Sequence, residues 1–93
     1  MGAIVNLTRN NEVLQGFQIE SSLDMHTVLD WAAGKGYSGH INIDANGART
    51  MGLTSPNGTA QPARIGDWAV IKNNTTITLV PQEHAASLYS IAP

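Results

Sequence analysis

Arg49 and Arg64 are the residues best suited to hold an anion, because each presents a planar, permanently charged fork of donors. Tyr37 and Trp68 offer aromatic faces beside which such a cation can work, and a pocket beside either ring would make an anion site. His40 joins them through its strand: in His40-Ile41-Asn42-Ile43-Asp44 the alternation puts three hydrogen-bonding side chains on one face and two isoleucines on the other. The chemistry these residues point to is recognition of a small anionic or nucleotide-like ligand. The site expected from sequence is therefore Arg49, Arg64, Tyr37 and His40.

Other chemistries find less support. The chain has no cysteine, which excludes disulfides, thiol catalysis and thiolate metal ligation. His26, His40 and His84 with Asp30 or Asp44 form no close-packed ligand motif, and His26 with Asp30 reads as a solvated helix face, so no metal is expected. The serines lie at caps and turns without a nucleophile elbow, and the seven acids show no converging pair. Gly34-Lys35-Gly36-Tyr37-Ser38-Gly39 has neither phosphate-loop nor dinucleotide spacing, and it follows a helix where those motifs precede one. No enzymatic role and no cofactor are expected.

The elements that must position these residues are short. Glu12 to Glu20 alternates Val13, Gln15, Phe17 and Ile19 against Leu14, Gly16 and Gln18, which predicts a strand. A helix follows: Ser21 and Ser22 suit the N-cap, Asp24 suits the first turn, and Met25, Val28, Leu29 and Ala32 make one apolar stripe with Trp31 on its flank. Gly34 or Gly36 should end it. His40 to Asp44 then pairs with Ala48 to Thr54 across Asn46-Gly47, read as a type I′ hairpin, and Ser55-Pro56-Asn57-Gly58 turns the chain again. Trp68 to Lys72 and Thr75 to Val80 form another hairpin across Asn73-Asn74. Pro81 opens a short helical segment over Gln82 to Leu88, and Tyr89-Ser90-Ile91 returns as a terminal strand. The expected fold is a single α+β domain over 1–93, one short helix packed on a small, bent antiparallel sheet built from hairpins.

Gly66-Asp67-Trp68 is the most individual segment. Gly66 and Asp67 make a tight turn into the strand, the Asp67 carboxylate can accept neighbouring backbone N–H groups, and Trp68 is the largest hydrophobe available to the core. With the hairpin Ala69 to Val80, Pro81, the segment Gln82 to Leu88 and Tyr89, this triplet resembles the C-terminal half of a family of small bacteriophage and prophage proteins. Those proteins open a hairpin on Gly-Asp-Trp or Gly-Asp-Tyr and end near a tyrosine. The chain departs from them at Ile65, where the family has proline, and in Thr75 to Val80, where the family's second strand reads Gly-Glu-Phe-Tyr-Pro. The resemblance implies a phage accessory protein in the cytoplasm of the host bacterium and implies no mechanism.

Composition narrows the partners. With 5 Lys+Arg against 7 Asp+Glu the formal charge is −2, so no basic surface is available for a nucleic acid polymer. Residues 1 to 9 lack the basic head and apolar stretch of a secretion signal, and no later run suits a membrane. The 42% of apolar residues include few aromatics, a thin core that self-association would help, so a homo-oligomer is expected. The function expected is binding, of a host protein or of a small anionic signalling ligand, to the detriment of host defence. The alternative is a minor virion or assembly component.

Overall fold

Turn chemistry sets the order of the elements, which a computed structural model describes over residues 4–9, 12–73 and 75–91. The strands are β1 (Ile4–Arg9), β2 (Glu12–Gln18), β3 (Ser38–Ile43), β4 (Arg49–Thr54), β5 (Ala60–Arg64), β6 (Trp68–Lys72), β7 (Thr76–Val80) and β8 (Ser90–Ile91). Helix α1 (Ser22–Ala33) lies between β2 and β3, and α2 (Gln82–Leu88) between β7 and β8.

The fold is α+β and antiparallel, as the hairpin signals require. The strands divide into two sheets, where the sequence suggested one: a five-stranded sheet ordered β7-β6-β2-β1-β8 and a three-stranded sheet ordered β3-β4-β5. Phe17, Ile19, Ala69, Ile71, Ile77 and Leu79 from the larger sheet meet Met25, Val28 and Ala32 of α1 and Met51, Leu53 and Ala63 of the smaller sheet in the main core. On the other face of the larger sheet, Leu7, Leu14, Val70 and Val80 are covered by Ala85 of α2. β2 thus buries residues on both faces. That is why Leu14 and Gly16 are buried beside Phe17, while Val13, assigned by simple alternation to the apolar face, is 64% exposed.

Helix α1 starts as its sequence dictates. Ser21 accepts from Asp24 N at 3.4 Å, and Met25, Val28 and Ala32 are buried with Leu29 half-covered beside them. Gly34 is the C-cap, and the flanking Trp31 meets Phe17 edge-on at 5.0 Å between ring centroids.

The β3–β4 hairpin differs from the expected type I′ turn. Asp44 Oδ1 accepts from Asn46 N at 2.8 Å and from Ala48 N at 2.9 Å, and only Gly47 (φ +83°) is left-handed. With Asn46 not in the left-handed region, the result is a three-residue loop with a left-handed glycine at its end. Ser55 and Gly58 (φ +92°) repeat this design between β4 and β5, with Gly58 N donating to Ser55 O at 2.9 Å. In the β6–β7 turn, Asn73 adopts φ +54°, and Asn74 lies outside the described residues. Pro81 caps α2 one place before the first helical position. The terminal strand is Ser90–Ile91, pairing with Leu7 and Thr8 of β1.

Candidate binding groove

The register of the small sheet brings the polar side chains together. His40 is opposite Gly52 and Gly52 opposite Pro62; Asn42 is opposite Thr50 and Thr50 opposite Arg64. Since side chains directly opposite one another share a face, these six occupy the face turned away from Met51, Leu53 and Ala63, which fill the core. They line a groove of about 630 Å³, walled at one end by Asp67, Pro81 and Glu83. That volume suits a small organic ligand.

The floor is flat because its residues are small. Gly52 lets the His40 imidazole lie across β4: a Cβ there would stand 2.7 Å from His40 Cε1 and 3.0 Å from Nε2. Arg64 is exposed and, among the described residues, has no carboxylate within ion-pair distance. The neighbouring Asp67 is only 6% exposed and does not serve as its counterion. Instead its Oδ2 accepts from Arg64 N at 2.8 Å and its Oδ1 from Gln82 N at 3.0 Å. Asp67 therefore ties the end of β5 to the start of α2, so that the arginine and the α2 wall keep one relative position.

Gly66 and Trp68 complete this junction. Gly66 (φ +103°) donates to Ile19 O at 2.6 Å, and Ile19 N donates to Asp67 O at 2.8 Å, so the turn is pinned to the end of β2. A Cβ at Gly66 would lie 2.5 Å from Gln82 Oε1. Trp68 is half-buried and packs on the smaller core with Tyr89, over whose ring Arg9 stands at 5.8 Å. Trp68 and Tyr89 also line a second, smaller cleft with Gln18 and Gln82, on the opposite side of the larger sheet from the main core.

Of the four residues expected to bind ligand, the structure gathers two, His40 and Arg64. Arg49 does not join them: it is one residue from Thr50 and so on the opposite face of β4, where its guanidinium donates to Ser22 Oγ at 2.6 Å. A pocket shared by both arginines beside Trp68 or Tyr37 does not form. Tyr37 is engaged in the fold, its hydroxyl accepting from Ile77 N at 3.2 Å and donating toward Ile77 O at 3.5 Å. Pro81 lines the groove wall.

Thr50, Gly52, Pro62 and Glu83 lie outside the site that sequence predicts, because Pro62 masks β5 as a strand and Thr50, Gly52 and Glu83 carry no individual signal. Asp44 and Ser55 each stand two residues before an Asn-Gly pair, Asn46-Gly47 and Asn57-Gly58, and this repeated spacing marks two successive hairpins and hence β5. Among the described residues, no group of three or more histidines and acids comes together to hold a metal, and no helix is long and apolar enough to cross a membrane. Comparison of the chain with family models, curated proteins and solved structures gives no match.

Proposed function

We propose that this chain is a binding module, of phage or prophage origin, whose ligand is a small molecule with one negative charge and a planar body, such as a cyclic mononucleotide. The observation that carries this reading is the Arg64 guanidinium, free of carboxylate partners among the described residues, at the edge of a flat groove with His40, Asn42 and Thr50. A monoanion on Arg64 leaves the planar part to lie over Pro62, against the imidazole that covers Gly52, with the Asn42 amide and the Thr50 hydroxyl reaching its polar edge. One cation, with the Glu83 carboxylate also lining the groove, favours a single charge over a triphosphate. The module works by holding its ligand and converting nothing, so a signalling molecule in the host cytoplasm would be sequestered.

Thermal unfolding in the presence of a panel of cyclic mononucleotides, nucleoside triphosphates and small carboxylates tests this. At a ligand concentration of about 100 times Kd the folded state gains about 2.7 kcal/mol, which in a domain of this size raises Tm by roughly 10 °C or more. Arg64→Ala should remove the gain for the monoanions, and Arg49→Ala should keep it. No shift with any of them, or equal loss in both variants, rejects the reading.

A further inference from the structure

The outer edge of β3 is a six-residue sheet edge with which no described strand pairs. We propose that it pairs with the same edge of a second copy, joining two three-stranded sheets into one six-stranded sheet. This does not depend on what the groove binds.

The outer edges of β7, β5 and β8 carry identifiable devices against pairing. In β7, Ile77 N donates to the Tyr37 hydroxyl, and Leu79 N donates to Gln61 Oε1 at 2.9 Å, while Ile77 O accepts from Gln61 Nε2 at 3.1 Å. In β5, the bond from Ser55 N to Thr59 O sets the alternation, so Gln61 and Ala63 bond to β4 while Pro62 and Arg64 turn outward. Pro62 has no N–H to offer a neighbour, and Arg64 N is taken by Asp67. β8 is two residues long, itself a protected kind of edge.

β3 has none of these features. Asp44 N bonds to Ala48 O at 2.9 Å, which makes Asn42, His40 and Ser38 the residues bonded to β4 and leaves the N–H and C=O of Gly39, Ile41 and Ile43 directed outward. The strand reads Ser-Gly-His-Ile-Asn-Ile, with no charge, no proline and no bulge, and all of it is exposed apart from half-buried Ile41. Lysines, prolines or inward charges are the usual means of preventing edge pairing.

The occupant that fits is a second copy, because the strand is complementary to itself. A two-fold axis through Ile41 places Ile41 opposite Ile41 and Gly39 opposite Ile43, so every outward residue meets an outward residue and each such pair exchanges both hydrogen bonds. The same register sets His40 opposite Asn42 on the groove face, an imidazole beside an amide, and Ile43, 61% exposed in the single chain, opposite Gly39 of the second copy and toward the Leu29 side chain that packs over that glycine. No charge opposes like charge anywhere along the pair. The two grooves then open side by side on one continuous face, with the His40–Asn42 rows at its centre.

The absence of cysteine makes the test clean. Sedimentation equilibrium of the full chain at micromolar concentration should give twice 9.9 kDa. The double substitution His40→Cys with Asn42→Cys should form interchain disulfides under mild oxidation, and a cysteine pair at Thr76 and Thr78 on β7 should not. Ile43→Pro, which removes an outward N–H at an exposed strand end, and Ile43→Lys, which leaves the backbone intact, should both return the mass to that of one chain while circular dichroism stays unchanged. A monomeric wild-type chain, or a dimer that persists in both Ile43 variants with no cross-link through residues 40 and 42, overturns the proposal.

Discussion

At the scale of single residues, Asp67 carries the most structural consequence. Its two oxygens satisfy backbone donors from β5 and from α2, so Asp67→Ala orphans both. Each lost partner costs about 1–3 kcal/mol, and urea unfolding should register a loss in that range or somewhat above it. A loss under about 0.5 kcal/mol, the size of an ordinary surface change, would show that the junction tolerates rearrangement. Asp67 is also a positioning residue for Arg64, since it grips the backbone from which that guanidinium extends. Gly66→Ala forces a side chain into a left-handed conformation at φ +103° against the Gln82 amide. It should cost about 1–2 kcal/mol from the backbone alone, measured by the same unfolding experiment, whereas Gly34→Ala, at an ordinary helical φ of −66°, should cost less.

At the scale of elements, the joint between the two sheets rests on Tyr37 and Gln61. Tyr37→Phe removes the group that bonds Ile77, and Gln61→Ala those that bond Ile77 O and Leu79 N. Amide hydrogen exchange should accelerate at Ile77 in the first variant and at Leu79 in the second, each by the several-fold that about 1 kcal/mol implies. Unchanged exchange at both would mean that core packing alone holds β7. These contacts also explain what the sequence discloses and what it conceals. Helix α1 is legible because a serine cap, an acidic first turn and an apolar stripe agree. The hairpin signals of β3, β4, β6 and β7 are legible in β-branched runs and Asn-Gly pairs. β5 is hidden by Pro62, tolerable only because its missing N–H faces outward, and β1 by its polar alternate residues Asn6 and Thr8. The division into two sheets depends on side chains distant in sequence and leaves no local trace. For the same reason His40 and Asn42 could be placed on one face from alternation, but Arg64 could be added, and Arg49 removed, only once Thr50 was seen to stand between Asn42 and Arg64.

At the scale of the whole molecule, a chain of net charge −2 presents a groove with one unpaired guanidinium among the described residues and a flat floor of small side chains. Long-range attraction of anions is therefore weak, and affinity must come from contact within the groove, so raising salt from about 0.05 to 0.5 M should weaken monoanion binding by well under the hundredfold or more seen when many phosphates are neutralised. A steep salt dependence, followed by titration calorimetry, would point instead to a multiply charged ligand. The most direct test of the groove is an amide correlation spectrum of the full chain, titrated with a cyclic mononucleotide. The account predicts saturable shifts at His40, Asn42, Gly52 and Arg64, absent in Arg64→Ala. Shifts centred on Trp68 and Tyr89 with the groove silent, or no shifts at millimolar ligand, would contradict it.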